Sequence, residues 1–172
     1  LLDVADRAAF AAYAAAVAAH FGRVNVIVNN AGVALSGDFE HLGYDDLEWI
    51  VGINFWGVVH GTKEFLPHLI ASGDGHVVNI SSLFGLVSMP GQSSYNATKY
   101  AVRGLSEALR QELLIAGHPV HVTVVHPGGI KTNIVRNARF HKDDVGRTDR
   151  AELEKEFDKI TLTTPHKAAK TI

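Results

Sequence analysis

The stretch VNVIVNNAG, residues 24–32, joins a short β-branched run to an Asn-Asn-Ala-Gly turn. A continuous apolar run of this kind is typical of a strand that is buried on both faces, and such strands belong to parallel sheets. We therefore predict a parallel strand here, with the turn at its carboxyl end.

Helical patterns lie on both sides of this stretch. Before it, Asp6 is placed to cap a helix that runs to about His20 and stops at Gly22. After it, a helical tract from about Tyr44 to Ile70 contains glycines at positions 52, 57 and 61. Because each glycine costs a helix about 1 kcal/mol relative to alanine, this tract predicts close packing or a local distortion.

Two further strands follow, HVVNISS (residues 76–82) and VHVTVVHPGG (residues 120–129), with a helix predicted between them from about Tyr95 to Leu114. Alternation of strands and helices indicates an α/β fold with a parallel sheet and right-handed crossovers. TPHKAAKTI at the end of the chain predicts a short capped helix. Residues 131–164 are mostly charged or polar, and we interpret them as a mobile substrate flap.

The composition excludes several classes of function. The 172 residues are 47% apolar, and a net charge of −2 provides no basic field for nucleic acid or anionic lipid. No apolar run is long enough for a membrane span. The chain has no cysteine, which fits a reducing compartment, and its ten histidines are scattered, so no metal site is expected.

The predicted strand ends bring small and polar residues to one edge of the sheet, where open parallel sheets bind ligands. They are residues 29–32, Ser81-Ser82 and residues 127–132. Tyr95 and Lys99 enter the same edge from the intervening helix, and their spacing of four places both side chains on one face.

In order and spacing, these motifs resemble the short-chain dehydrogenase/reductase family. They are NNAG, Asn54 in GINFWG, NISSLFG, YNATK and PGGIKT, and Tyr95 follows Ser82 by 13 positions. The resemblance implies a Rossmann-like, doubly wound parallel sheet, with residues 1–172 as a single partial catalytic domain that is truncated at both ends. NNAG and the mid-helix Asn54 resemble the single-domain dehydrogenases more closely than the extended epimerases.

The resemblance also implies the chemistry. Tyr95 is the expected acid/base, Ser82 orients the substrate oxygen, and Asn54 holds a relay water. Making a tyrosine a base near neutrality requires lowering its pKa by about three units, or about 4 kcal/mol. We expect the Lys99 ammonium to supply an interaction of this size and to bridge the nicotinamide ribose hydroxyls.

Contacts with NAD or NADP are implied for Tyr95, Lys99 and further positions matching the family's motifs: Asp3, Val4, Asn30, Ala31, Gly32, Pro127, Gly128, Ile130 and Thr132. Asn29 and Ser81 are interpreted as structural. The family's glycine-rich pyrophosphate turn has no match before Asp3, so we expect an internal fragment that binds the cofactor weakly when isolated, with the NAD or NADP preference undetermined.

The expected reaction is hydride transfer between the nicotinamide cofactor and a small secondary alcohol or ketone. A cytoplasmic homodimer or homotetramer is expected, with no nucleic-acid or membrane partner. Two alternatives stay open: a non-catalytic Rossmann-like scaffold, or an epimerase or dehydratase that uses the same Tyr95–Lys99 pair. The basic residues at positions 136, 139, 141 and 142 are interpreted as part of a solvated lid, the alternative being attraction of an anionic substrate.

Overall fold

The computed structural model describes residues 1–141, 155, 159 and 161–172. Its helices are α1 (Arg7–Phe21), α2 (Tyr44–Val51), α3 (Gly57–Ser72), α4 (Ser93–Ile115) and α5 (Pro165–Ala169). Its strands are β1 (Val26–Asn29), β2 (Leu35–Ser36), β3 (Gly75–Ile80), β4 (Val120–Val125) and β5 (Arg139–Phe140).

The main sheet is parallel, in the order β1-β3-β4. Val28 pairs with Val78, and Val78 pairs with Thr123. The predicted α/β fold is therefore confirmed, and the carboxyl ends of the three strands meet at one edge. A second, two-stranded parallel pair joins β2 to β5.

The ends of α1 follow the local sequence signals. The Asp6 side chain accepts a hydrogen bond of 3.0 Å from the Ala9 amide, which satisfies one of the free N–H groups of the first turn. Gly22 ends the helix with φ of 70°, a left-handed conformation that glycine adopts without steric cost. Both predicted boundaries are confirmed.

Helices α1, α3 and α4 cover the same face of the main sheet. Their apolar side chains form one core with alternate residues of β3 and β4: Phe10, Ala14, Phe65, Leu69, Val77, Leu113 and Val120. This core fixes the helices against the sheet, so α4 lies next to the carboxyl end of β3.

The prediction that β1 is buried on both faces is wrong. Val26 and Val28 are 54% and 51% exposed, whereas Asn29 is buried. β1 is an edge strand of the described sheet, and its helix-free face has no covering element among the described residues. The apolar run indicated a strand, but burial depends on what packs against each face.

The long helical tract is distorted where its glycines predicted. Gly52–Trp56 forms a π-helical segment between α2 and α3, and Asn54 at its centre is fully buried. Close packing accounts for the next two glycines. A Cβ on Gly57 would lie 2.8 Å from Val4 Cγ2, and one on Gly61 would collide with the Asn29 side chain.

The predicted flap is described only in part. Residues 131–141 contain β5, so the beginning of the flap is paired with β2. Residues 142–160, apart from 155 and 159, lie outside the described residues, and Lys142 is among them. The predicted capped helix near the end of the chain is α5, where the Thr164 side chain accepts from the Lys167 amide.

Candidate active site

Helix α4 carries Tyr95 and Lys99 into the sheet edge. Their side chains share one helix face as predicted, and the Lys99 Nζ lies 5.6 Å from the centre of the Tyr95 ring. Tyr95 is 7% exposed and Lys99 is 4% exposed. This burial excludes the interpretation of the pair as solvated surface residues.

Lys99 is a buried cation with spare hydrogen-bonding capacity. Its Nζ donates to the carbonyl oxygen of Ile80, the last residue of β3, at 3.1 Å. Burial lowers the pKa of Lys99 to about 8, because an apolar environment disfavours the charged form. An ammonium has three donors, so two further acceptors can be bound at this position.

Ser82 faces Tyr95 from the turn that follows β3. Burial raises the pKa of Tyr95 above its usual value, and the nearby Ser82 side chain opposes this with a smaller lowering effect. The expected lowering by Lys99 is therefore not observed. The ammonium lies over the tyrosine ring and is bonded to Ile80 rather than to the phenolic oxygen.

Asn54 joins the NNAG turn to the catalytic helix. Its Oδ1 accepts from the Val33 amide at 2.8 Å, and its Nδ2 donates to the Val33 carbonyl at 2.9 Å and to Thr98 Oγ1 at 3.3 Å. Both amide protons are thus engaged with protein, and they can hold no relay water. π-Helical segments occur often at functional sites, where they re-aim a side chain, and this one turns Asn54 toward Val33 and Thr98.

Gly32, in the turn after β1, lies next to Asn54 and Lys99. A Cβ at Gly32 would lie 3.4 Å from Asn54 Oδ1 and 3.5 Å from Lys99 Nζ. The preceding residues, Asn30 and Ala31, are exposed. The structure therefore gathers the predicted Asn54, Ser82, Tyr95 and Lys99 and places the NNAG turn beside them.

Asn29 and Ser81 have structural partners, as interpreted from the sequence. Asn29 Nδ2 donates to Thr62 Oγ1 at 3.1 Å and to Asn79 Oδ1 at 2.8 Å. Ser81 Oγ donates to the Lys99 carbonyl at 2.9 Å. These buried hydrogen bonds tie β1, β3, α3 and α4 together behind the site.

Asp3 and Val4 are held against α3. The Val4 carbonyl lies 3.0 Å from His60 Nδ1, and the Val4 side chain fills the space left by Gly57. Asp3 is exposed and accepts a hydrogen bond from the Ala5 amide through its carboxylate. Asp3 and Val4 therefore lie beside the first turn of α3, which follows the π-helical segment. Their assignment to adenine binding stays a prediction.

The turn after β4 lies next to the Ser82 turn. The Pro127 carbonyl accepts from the Leu83 amide at 2.8 Å, and His126 Nδ1 lies 3.0 Å from the Ser82 carbonyl. Gly128 is exposed, Ile130 forms a bridge with Thr163, and the Thr132 hydroxyl accepts from the Ile134 amide at 3.4 Å. The predicted nicotinamide segment is therefore adjacent to the predicted catalytic serine.

Asn96 is a site residue that the sequence reasoning missed. Its Nδ2 donates to the carbonyls of Phe84 and Val87 at 2.7 and 2.8 Å, and its Oδ1 accepts from Met89 at 3.2 Å. It therefore shapes the loop after Ser82, whose Phe84 contacts the Tyr95 ring edge-on. Its position next to Tyr95 was visible in the sequence, but its three backbone partners were not.

The part of the chain that the structure describes contains neither a membrane-spanning helix nor a metal-binding cluster. No helix there has the length and apolar character required to cross a membrane. No group of three or more His, Cys, Asp or Glu side chains is arranged there as a metal site.

The chain matches the family model described as short chain dehydrogenase over residues 1–143. It is 57% identical over 172 residues to "Putative oxidoreductase SadH" of Mycobacterium tuberculosis, covering 99% of this chain and 61% of that protein. The chain therefore spans about three fifths of the length of this curated relative.

Two solved structures show the same fold. A short chain dehydrogenase/reductase from Burkholderia phymatum in complex with NAD is 30% identical, with a TM-score of 0.79 over 92% of this chain and 59% of that chain. A gluconate 5-dehydrogenase from Burkholderia cenocepacia in complex with NADP and tartrate is 29% identical, with a TM-score of 0.74 over 78% and 52%.

Proposed function

The chain belongs to the short-chain dehydrogenase family, and on this premise we propose that it forms the catalytic part of an NAD(P)-dependent oxidoreductase. The reaction is hydride transfer between the nicotinamide and a secondary alcohol or ketone, with Tyr95 as acid/base. The observation that carries the proposal is the buried pair of Tyr95 and Lys99 beside the Gly32 turn, with the partly buried Ser82 next to Tyr95.

The surroundings of Lys99 fit a nicotinamide dinucleotide. Gly32 is exposed and lies beside the buried ammonium, which has donors beyond its bond to Ile80. When bound there, the cofactor accepts or supplies the hydride. Lys99 would hold hydroxyl groups of the cofactor with its remaining donors, and residues 30–32 and 127–132 would line the approach to it.

Tyr95 moves the proton of the reacting hydroxyl. In alcohol oxidation its phenolic oxygen takes that proton, and in ketone reduction it returns one. Ser82 would hold the substrate oxygen beside Tyr95, since its side chain is close enough to influence the pKa of the phenol. Burial raises the pKa of Tyr95, so its ionisation requires nearby positive charge, and the Lys99 ammonium over the ring is the group we assign to supply it.

Asn54 positions these groups. It connects Val33, after the NNAG turn, to Thr98, which precedes Lys99, and so sets the width of the opening between turn and helix. The relay water that we expect at Asn54 is held by its Oδ1, which has a second lone pair, or by backbone carbonyls, since its amide protons are engaged.

A neutral, apolar substrate fits the surface beside Ser82 best. The residues that follow Ser82 expose apolar side chains, with exposed fractions of 45% for Leu83, 41% for Leu86 and 48% for Val87. In the flap, Arg139 and His141 both contact the carboxylate of Asp46. Because both side chains are already engaged by this carboxylate, the alternative of an anionic substrate attracted by them loses support.

A homodimer or homotetramer and a cytoplasmic location remain our predictions for the intact protein. For the apolar positions 102, 105, 108 and 109 of α4 we expect one face on the sheet and one in the assembly; Val102 is buried, and Leu109 packs against the core. Trp56 and Tyr100, which are 50% and 39% exposed, are better candidates for a subunit contact. Light scattering that shows a strict monomer at micromolar concentration would contradict the assembly.

The test is a nicotinamide absorbance assay on the product of the complete reading frame that carries this chain. Neutral ketones and secondary alcohols are supplied with NAD(H) and with NADP(H) in parallel, which also decides the cofactor preference. We expect turnover that Tyr95→Phe abolishes. Binding of the dinucleotide without any absorbance change over the whole panel would favour the scaffold, epimerase or dehydratase alternatives instead.

A further inference from the structure

Asp46, in the first turn of α2, contacts one arginine and one histidine side chain from the β5 region, about 90 residues further along the chain. Its Oδ1 lies 2.9 Å from Arg139 Nη1, and its Oδ2 lies 2.7 Å from His141 Nε2. The Asp46 side chain is 18% exposed, and hydrogen bonding by Arg139 is the first cause that lowers its pKa. One shielded carboxylate therefore uses both of its oxygens on the same short segment.

Trp49, also on α2, provides a second contact for the Arg139 side chain. The Arg139 guanidinium lies 3.9 Å from the centre of the Trp49 ring, which is a cation–π distance. Trp49 follows Asp46 by three positions, so both side chains stand on one face of the helix. The planar guanidinium is thus bound at its edge by a carboxylate and on its face by an indole, a geometry that lysine cannot reproduce.

Backbone pairing continues the contact toward the site. The Arg139 amide donates to the Ala34 carbonyl at 3.1 Å, and the His141 amide donates to the Ser36 carbonyl at 3.3 Å. Residues 34–36 follow the NNAG turn directly, so the Asp46 contacts hold β5 against the segment that carries Gly32.

The residues that lead into β5 also contact the apolar cluster around Tyr95. Ile134 packs against the apolar cluster of Leu35, Ile50 and Tyr95. Between Ile134 and β5 the backbone is tightly turned, with the Asn137 amide bonded to Asn133 and the Ala138 amide to Val135. A shift at Arg139 is therefore transmitted to Ile134 over only a few residues.

From this geometry we infer that Asp46, with Trp49, is a positioning residue for the substrate. Through Arg139 and His141 it fastens residues 133–141, which lie on the substrate side of Tyr95 and face a ketone bound there. The inference rests on the proposed function, because it assigns the substrate side of that same site. It predicts an effect on ketone binding and none on the proton transfer or on cofactor binding.

The test compares Asp46→Asn with the wild-type protein. We expect the KM for a ketone to rise about fivefold to tenfold, as for loss of charge-assisted hydrogen bonds, while kcat and the KM for the cofactor stay within about twofold. Hydrogen exchange supplies a second readout, in which the amides of Arg139 and His141 exchange about fivefold faster. Arg139→Gln, at an exposed position, repeats the test if Asp46→Asn does not fold.

Glu107→Gln is the matched control. It removes the charge of the Arg103–Glu107 pair, an exposed ion pair on α4 with a distance of 2.7 Å. This control should leave the ketone KM and both amides unchanged. Unchanged ketone KM and exchange rates in Asp46→Asn and Arg139→Gln would overturn the inference.

The two proposals fail in different ways. If the wild-type protein turns over no ketone or alcohol, the proposed function fails, and the exchange of the Arg139 and His141 amides then decides whether Asp46 fastens the segment. If the wild type is active but Asp46→Asn behaves like Glu107→Gln, only the inference about Asp46 fails.

Discussion

Two regions border the site, and they are held in place by different forces. One region is the face of α4 that carries the proposed acid/base, here called the catalytic face. It is formed by Tyr95, Lys99, Val102 and Ser106 and is at most 7% exposed. The proposed substrate segment, residues 133–141, is held at its far end by the contacts of Arg139 and His141 with Asp46 and by the stacking of Arg139 on Trp49. Burial against the core therefore positions the face of α4. The substrate segment is positioned by polar contacts of its side chains with Asp46 and Trp49.

This difference predicts how strongly amino-acid substitutions in each region affect stability and activity. A buried polar group that loses its partner carries the full desolvation penalty, whereas an exposed ion pair contributes at most about 1 kcal/mol. We therefore expect substitutions on the catalytic face to have large effects on rate or stability. Substitutions around the substrate segment should adjust ketone binding without damage to the chemistry.

The largest effect is expected for Tyr95→Phe. The variant retains the edge-on contact with Phe84 but loses the phenolic oxygen, so kcat should fall about 10³-fold or more. Cofactor affinity, measured by fluorescence titration, should stay within about twofold. Tyr100→Phe is the control, since Tyr100 lies on the same helix and is 39% exposed. Wild-type rates in Tyr95→Phe would remove the proton-transfer role.

Lys99→Met should inactivate the protein and stabilise its fold. The pKa of Lys99 is lowered from 10.5 to about 8 by burial, a penalty of about 3 kcal/mol, from which about 1 kcal/mol is subtracted for the lost bond to Ile80. At pH 7 the free energy of unfolding, measured in urea, should thus rise by about 2 kcal/mol.

The lowered pKa of Lys99 also predicts how the free energy of unfolding changes with pH. Between about pH 8 and 10.5 the unfolded chain keeps the Lys99 proton that the folded chain has lost, so wild-type stability should rise with pH there. Lys99→Met should lack this rise, whereas Lys63→Met, at an exposed position on α3, should keep it. Equal pH profiles for Lys99→Met and the wild type would contradict the burial penalty.

Asn96→Ala should have an intermediate effect. It leaves the Phe84 and Val87 carbonyls and the Met89 amide without their partner, and we expect a loss of about 2 kcal/mol in a denaturant titration. Ser94→Ala is its counterpart on the same turn, because the buried Ser94 hydroxyl has no partner among the described residues. That variant should lose no stability. Equal losses in the two variants would show that the loop is held by something other than Asn96.

The smallest effect is expected from salt. Raising the ionic strength from 0.1 to 1 M shortens the Debye length from about 10 to about 3 Å, which weakens the partly exposed Asp46 contacts. The KM for a neutral ketone should rise by less than about threefold, with kcat unchanged. Asp46→Asn should show no such rise. A fall in kcat, or the same salt dependence in the variant, would argue that the two regions are not held by different forces.

The sequence by itself determined the features that depend on neighbouring residues. The cap at Asp6, the stop at Gly22 and the spacing of Tyr95 and Lys99 follow from local geometry, and all three are as expected. The distortion at Asn54 was also predictable, because glycines inside a helical tract are costly unless packing requires them. The parallel sheet followed from the alternation of strands and helices.

Only the tertiary structure decided what depends on distant partners. The exposure of Val26 and Val28 is set by what covers the sheet, and no periodicity encodes that. The same holds for the pKa of Tyr95, which burial raises although the sequence places a lysine one turn away. Asp46 meets Arg139 and His141 across 93 and 95 residues, and such a pairing has no local signal. Spacing along the chain specifies which side chains share a helix face, whereas folding specifies what they meet there.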